Sequence, residues 1–225
     1  LEPMQEDLMR LSIKDGNAQA NNVRPSTEKQ AISRYADKLQ ATSARKSGAP
    51  LNGTPLTQGN VKWMSNDGLS FSPQGVTTKR PGGAHHLIPV VGGTISVEAE
   101  VKSKGSGFTG LALGRGNLSA NFWKHLAILF YISKDKCVLF DGKRPLVSKR
   151  VPNLLKTGEA AKLDLELDTV KRVVTCRING ETVIDAFALP SNVNVNDINA
   201  VGFRINDPIT ADAPHVSHYK ATAVN

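Results

Sequence analysis

The chain has 225 residues and a formal net charge of +8; 40% of its residues are hydrophobic, 21% are charged and 5% are aromatic. This length accommodates one large all-β domain with an appendage, or two small domains. The longest apolar run, 126–132, is strand-sized and far shorter than the roughly 18 residues of a membrane-spanning helix, so no membrane span is predicted. The basic residues are scattered and form no run of five, which disfavours nucleic acid as a partner.

The N-terminus carries no recognisable signal peptide. The chain opens on Leu1 rather than on Met, as a processed product or an excised fragment would. We therefore expect a secreted or periplasmic protein whose export signal is not visible in this sequence.

Residues 1–50 are predicted to form a helical arm and linker. Pro25, Ser26 and Thr27 followed by Gln30 fit the start of a helix with a capping box. Apolar residues then repeat at i, i+3, i+4 and i+7 over about 28–45, and a shorter helix is expected over 4–13. The apolar stripe comprises Ile32, Tyr35, Ala36 and Leu39. We expect it to pack on the chain's own sandwich, or to mediate self-association or attachment to a larger protein.

Residues 57–225 are predicted to form an antiparallel β-sandwich. Short alternating segments recur about every 8–12 residues and are separated by turns rich in Gly, Asn and Pro. Glycine-rich stretches on both sides of His85 and His86 predict that these histidines lie in a loop. The predicted strands are 61–64, 69–71, 95–101, 108–113, 126–133, 137–141, three strands within 162–189, 201–206 and 216–223.

The clearest alternation lies in 162–189. Leu163, Leu165 and Leu167 fall on one face, and acidic residues occupy the other face. Period-two alternation over this length indicates a strand with one buried and one solvated face. Asn179-Gly180 predicts a hairpin, because both residues tolerate the positive φ angles of a type I′ turn.

The two cysteines, Cys137 and Cys176, are too few for a disulfide scaffold. Cys176 lies on the apolar face of its strand, which favours a small buried thiol. The alternative is a single disulfide joining two strands, which would imply an oxidising compartment.

The order of the strand motifs is similar to that of a known superfamily. Trp63 and Asp67-Gly68 come first, followed by GTISVEAEVK, FTGLALGRG, KLDLELD, VVTCRINGETV and VGFRIND. Over about residues 60–225 this order resembles the concanavalin A-like lectin/glucanase superfamily, which includes laminin-G-like and glycosidase-associated jelly rolls. The resemblance implies an all-β jelly-roll sandwich. It also implies a function among lectins, adhesion modules, glycanases and lyases, which only a site can decide.

A catalytic role rests on two candidate carboxylates. The Glu-x-Asp-x-x-Glu strand of the glucanase branch is missing, and the nearest approach is Glu98 and Glu100 on a solvated strand face. Carboxylates at i and i+2 lie about 7 Å apart, within the range of glycosidase pairs. Asp164 and Glu166 have the same spacing, because alternating solvated faces produce such pairs by default. A glycoside hydrolase or polysaccharide lyase therefore stays an alternative, and the sequence leaves open whether the protein is an enzyme.

A ligand-binding surface is expected around Trp123. Aromatic rings stack on sugar rings, and this tryptophan lies in a polar, loop-like stretch. Its expected partners in binding are Asn121, Arg115, His125 and Lys124. Trp63, in contrast, is expected in the core.

Cofactor motifs such as a P-loop or GxGxxG are missing, so no organic cofactor is predicted. A Ca²⁺ site, which lectin-like sandwiches commonly have, would draw its oxygen ligands from Asn206, Asp207 and Asp212. Alternatively, His215 and His218 with Asp212 could bind a metal ion or act as a base.

The leading hypothesis is a noncatalytic carbohydrate-binding or adhesion-type β-sandwich with a polysaccharide or glycan partner. Binding would use loops or the concave sheet, through stacking on Trp123 and hydrogen bonds from Asn, Arg and Lys side chains. A structural protein-interaction module is the third alternative, and it would act through the N-terminal helix.

Overall fold

The computed structural model describes residues 50–51, 62–66, 68–90, 92–156, 158–207 and 214–224. Almost all of these residues belong to strands or to the turns between them. The strands are β1 (Pro50–Leu51), β2 (Met64–Ser65), β3 (Leu69–Ser72), β4 (Gly75–Thr78), β5 (Gly82–Leu87), β6 (Thr94–Lys102), β7 (Thr109–Gly114), β8 (Leu126–Ser133), β9 (Lys136–Phe140), β10 (Pro145–Arg150), β11 (Ala160–Asp168), β12 (Val173–Ile178), β13 (Glu181–Ala188), β14 (Ala200–Ile205) and β15 (Val216–Val224), and a short helix, α1, spans Phe122–His125.

The strands form two antiparallel sheets that pack as a sandwich. The eight-stranded sheet has the order β13-β12-β11-β6-β15-β4-β3, with β1 paired to β15. The seven-stranded sheet has the order β10-β9-β8-β7-β14-β5-β2. The predicted all-β antiparallel sandwich is therefore confirmed. The predicted helices over 4–13 and 28–45 lie outside the described residues, so the helical arm and its proposed role in assembly stay predictions.

Alternating side chains of both sheets fill one continuous core. Leu163, Leu165 and Leu167 of β11 are fully buried, and the residues between them are only partly buried. The same alternation runs along β6, the neighbour of β11, and β12, its neighbour on the other side. Asn179 and Gly180 both have positive φ angles between β12 and β13, as the hairpin prediction requires.

The prediction of a loop around His85 and His86 is wrong. Both histidines lie in β5 and are fully buried. Gly202 of β14 pairs with His85, and a side chain at Gly202 would clash with the backbone of Ala84. Gly83, one of the glycines that suggested a loop, likewise has no room for a side chain, because its Cβ would lie 2.8 Å from the Phe203 carbonyl oxygen. His85 Nδ1 is hydrogen-bonded to Ser119 and His86 Nε2 to Tyr219, which replaces part of the lost hydration.

The two thiols lie in the core of the sandwich. Cys137 of β9 and Cys176 of β12 belong to different sheets, and both are buried and free. Burial raises the pKa of each thiol. The predicted small buried thiol at Cys176 is thus confirmed. Trp63 packs against the same core, also as predicted.

The seven-stranded sheet is covered on its outer face as well as its inner face. All six residues of β7 are buried, although their side chains alternate between the two faces. On the outer face, Leu118 and Phe122 pack on Ala112, Leu129 and Ala200 and form a second apolar cluster. The segment between β7 and β8 therefore folds back over its own sheet, which positions the candidate site.

Candidate ligand-binding site

The short helix α1 presents one aromatic residue to the sheet and the next to solvent. Phe122 is buried in the second apolar cluster, whereas Trp123 is 46% exposed. Adjacent residues on a helix point in different directions, so anchoring Phe122 turns Trp123 outward. The two rings are perpendicular, with centroids 5.0 Å apart. The indole is thus held in place while much of its surface faces water.

A pocket of about 270 Å³ lies beside Trp123. Four segments that are distant in sequence contribute to its walls: the start of the β7–β8 connection, the region from α1 into β8, the turn between β9 and β10, and the loop after β13. Its lining residues are Arg115, Trp123, Lys124, Leu126, Ala127, Asp141, Gly142, Lys143, Asn192, Val193 and Asn194.

Arg115 braces one wall of the pocket. Its Nε donates to Asp197 Oδ1 at 2.5 Å, and its Nη2 donates to the backbone carbonyl of Asn194 at 2.5 Å. These bonds tie the end of β7 to the loop between β13 and β14. Arg115 therefore shapes the pocket, and three of its five N–H donors are not used by these two bonds.

Asp141 supplies the pocket's buried carboxylate. Its Oδ1 accepts hydrogen bonds from the backbone N–H groups of Lys143 and Arg144, both at 2.8 Å. Its side chain is only 3% exposed, and its Oδ2 is buried without a hydrogen bond; the nearest cation, Arg144 Nε, lies 3.8 Å away. A buried carboxylate oxygen without a hydrogen bond is costly to stability.

The structure brings together three of the five predicted ligand-binding residues. Arg115, Trp123 and Lys124 all line the pocket. Asn121 and His125 are not among the lining residues. The Asn121 carbonyl accepts from the backbone N–H of His125 at 3.2 Å, so these two residues help to shape α1. The binding role of all five residues stays a prediction.

Sequence reasoning missed the pocket residues outside the 115–127 segment. Asp141-Gly142 is a common turn dipeptide and was the available signal for the β9–β10 turn. Asn192 and Asn194 had no local signal, because only the strand order of the sheet brings their loop to Trp123.

The predicted catalytic candidates lie on the outer face of the other sheet. Glu98 Oε2 is 3.2 Å from Lys162 Nζ, and Glu100 Oε2 is 3.2 Å from His218 Nδ1. Asp164, directly opposite Glu98, has a raised pKa because of burial and, to a lesser extent, neighbouring carboxylates. Glu98 is therefore ion-paired with Lys162, and Glu100 is in contact with His218, on a sheet face that carries several charged side chains. A catalytic role for them stays a prediction.

The predicted Ca²⁺ ligands are only partly described. Asp207 is fully buried, and its carboxylate accepts hydrogen bonds from Ser103 Oγ, Ser106 Oγ and the Lys104 N–H. Asn206 Oδ1 accepts from Arg204 at 3.5 Å, and Asp212 lies outside the described residues. Within the described ranges, no group of three or more His, Cys, Asp or Glu side chains is arranged to hold a metal ion. Ca²⁺ binding therefore stays a prediction.

The two histidines near the C-terminus have different environments. His215 is buried with both ring nitrogens lacking a hydrogen bond, and burial lowers its pKa. His218 is exposed and pairs with Glu100. Their proposed role with Asp212 stays a prediction, since Asp212 is not described.

No helix within the described ranges is long and apolar enough to cross a membrane.

No protein-family model and no curated protein sequence matches the chain. Its fold is similar to that of arcelin-5, a lectin-like defense protein from Phaseolus vulgaris (10% identity, TM-score 0.52, covering 72% of this chain and 92% of that one). Weaker similarities reach the carbohydrate-binding module CBM66 from Bacillus subtilis (16% identity, TM-score 0.47, covering 72% and 92%) and the Emp46p carbohydrate recognition domain (13% identity, TM-score 0.49, covering 78% and 95%). The resemblance to concanavalin A-like jelly rolls is thereby confirmed at the level of the fold.

Proposed function

We propose that this β-sandwich is a noncatalytic carbohydrate-binding or adhesion module whose ligand occupies the pocket beside Trp123. The observation that carries the proposal is an exposed indole at the wall of a polar pocket, held by a buried phenylalanine next to it. A single exposed apolar residue is common on protein surfaces, but this indole forms the wall of a pocket with polar residues around it, where a ligand ring can stack.

The chemistry of the pocket suits a sugar. The apolar face of a pyranose ring packs on an indole, while its hydroxyl groups need donors and acceptors around the rim. Lys124 and Lys143 offer ammonium donors, and the side-chain amide of Asn192 offers a donor and an acceptor. At about 270 Å³ the pocket is slightly smaller than the roughly 300–1,000 Å³ of typical small-molecule sites, so we expect it to hold one sugar unit.

The noncatalytic part of the proposal is supported by the position of the carboxylates. Glu98 and Glu100 lie on the eight-stranded sheet, whereas the pocket is built on the seven-stranded sheet. Among the described residues, Asp141 is the single acidic one that lines the pocket, so they place no carboxylate pair of the glycosidase type there. Export from the cell belongs to the same proposal, since polysaccharides are mostly extracellular.

The proposal is tested by calorimetry, in which wild type, Trp123→Ala and Val170→Ala are each titrated with a glycan that the wild-type protein is found to bind. Val170 is the matched control, because it is an exposed apolar residue, 69% accessible, on the β11–β12 turn. We expect Trp123→Ala to weaken binding about tenfold or more, and Val170→Ala to bind like wild type. Equal binding by all three proteins would place the ligand elsewhere and contradict the proposal.

A further inference from the structure

Arg204 lies on the outer face of the seven-stranded sheet with no side chain on either flank. Its cross-strand partners are Gly83 of β5 and Gly110 of β7. A Cβ atom at Gly83 would lie 3.5 Å from Arg204 Cδ, and one at Gly110 would clash with the Phe130 carbonyl. The aliphatic part of the Arg204 side chain therefore lies between two glycines of the neighbouring strands, with no side chain beside it on either strand.

Aromatic rings gather around the guanidinium group. Its central carbon lies 5.1 Å from the Phe122 ring centroid and 5.8 Å from the Trp123 ring centroid. Phe108 contacts Trp123 at 6.3 Å and Tyr131 at 4.7 Å, measured between centroids. We call these five residues the arginine–aromatic cluster. Ring faces attract a cation without neutralising it, so the guanidinium keeps its full charge for an anion.

The charge of Arg204 has no counterion among the described residues. Arg115, Arg144, Arg150 and Arg177 each pair with a carboxylate. Arg204 takes part in no ion pair there, and its one hydrogen bond runs from Nη2 to Asn206 Oδ1 at 3.5 Å. Its Nε is buried without an acceptor.

This environment has an energetic cost that a ligand could offset. Burial lowers the pKa of the Arg204 guanidinium, and no neighbouring carboxylate counteracts the loss of hydration. A half-buried cation with an unsatisfied donor is destabilising unless an anion completes the site. The missing partner is thus a group that carries negative charge and hydrogen-bond acceptors.

We propose that Arg204 binds the carboxylate of an acidic sugar, so that the protein selects uronate-containing glycans over neutral ones. This inference rests on the function proposed above and names its substrate class. A planar guanidinium donates two parallel N–H bonds to a planar carboxylate, which a Lys ammonium cannot do. Trp123 belongs both to the pocket and to the arginine–aromatic cluster, so a glycan stacked on its indole lies close to Arg204.

The test compares two polymers with the same sugar backbone, polygalacturonate and its fully methyl-esterified form, in which the carboxylate charge is replaced by a methyl ester, by affinity electrophoresis at two salt concentrations. The proteins are wild type, Arg204→Lys, Arg204→Gln and Arg177→Gln. Arg177 is the matched control: it is a half-buried strand arginine on the outer face of the other sheet, and it is paired with Asp164 at 3.5 Å. Arg177→Gln removes the same charge, so it reports non-specific attraction to the +8 chain. Thermal melts check that every variant is folded.

We expect wild type to bind polygalacturonate more tightly than the ester. Arg204→Gln should lose roughly tenfold to a hundredfold in affinity, Arg204→Lys should recover only part of it, and Arg177→Gln should bind like wild type. Equal losses in Arg204→Gln and Arg177→Gln, or equal binding of polymer and ester, would overturn the inference. Arg204-dependent binding of dextran sulfate without binding of polygalacturonate would also overturn it, in favour of a sulfate ligand.

The two proposals fail in different ways. Trp123-dependent binding of neutral glycans without any preference for the acid form contradicts the acidic-sugar inference and leaves the proposed function standing. Binding of no polymer by wild type contradicts both.

Discussion

The Nε2 atom of His86 lies 2.6 Å from the hydroxyl oxygen of Tyr219 and joins the two sheets inside the core. His86 belongs to β5 of the seven-stranded sheet, and Tyr219 belongs to β15 of the eight-stranded sheet. The His86 Nδ1 lies 3.4 Å from the Leu87 carbonyl, an obligate acceptor, so Nδ1 carries the proton and Nε2 accepts from Tyr219. A neutral histidine therefore bridges the sheets.

We predict that acid destabilises the fold below about pH 6.5. Burial lowers the pKa values of His85 and His86 to about 4, whereas an unfolded histidine titrates near 6.5. Between these values the unfolded chain binds more protons, so the free energy of unfolding falls as the pH falls. The loss is complete below pH 4 and amounts to about 3 kcal/mol for each histidine. Urea unfolding between pH 7 and 4.5 measures it.

The control for this pH dependence is Val170→Ala, because Val170 is exposed and carries no titratable group. We expect this variant to keep the wild-type slope of stability against pH, and His86→Gln to have a shallower one. A free energy of unfolding that is constant from pH 7 to pH 5 would contradict the buried, neutral state of the two histidines.

Asp207→Ala is predicted to be strongly destabilising. The buried carboxylate holds the β6–β7 connection through two serine hydroxyls and the Lys104 N–H. Removing it leaves the buried Ser103 hydroxyl and two partly buried donors without their acceptor, at a cost of about 3 kcal/mol. The melting temperature of Asp207→Ala is compared with that of Asp185→Ala, a substitution at an exposed position on β13. Similar melting temperatures for the two variants would show that Asp207 is not structural.

The two cysteines are predicted to be unreactive in the folded protein. Their thiols are buried and their pKa values are raised, so few thiolates form at pH 8. We expect a thiol reagent to label neither cysteine in native protein and both in urea. Labelling of native protein at the rate of a free thiol would contradict their burial.

Glu98→Gln combined with Glu100→Gln is predicted to leave glycan binding unchanged. Both residues are on the sheet opposite the pocket; Glu98 is ion-paired with Lys162, and Glu100 is in contact with His218. The double variant and wild type are compared for retention on a glycan and for release of reducing ends. If wild type releases product and the double variant does not, the hydrolase alternative is established.

The parts of the fold that the sequence predicts are those with one solvated face. Strands β6, β11 and β12 alternate because the solvent selects polar residues at every second position. Strand β5, GGAHHL, is buried on both faces and has no alternation, so its glycines and histidines suggested a loop. Burial on two faces removes the periodic signal on which such predictions depend.

The candidate site was predictable only where its residues are close in sequence. Trp123, Lys124 and Arg115 lie in one polar stretch, and the pocket includes all three. Asp141 and Asn194 reach the same pocket through the order of strands in the sheet, which no local pattern encodes. From the sequence, Arg204 is an ordinary strand residue. The glycines that flank it in the sheet, Gly83 and Gly110, are far away along the chain.

The proposed carbohydrate binding is tested most directly by incubating wild-type protein with a panel of polysaccharides at low and moderate salt, and scoring retention and product release on the same samples. We expect retention on at least one glycan at moderate salt, loss of that retention in Trp123→Ala, and no product. Release of product, or no retention on any glycan at either salt concentration, would contradict a noncatalytic carbohydrate-binding module.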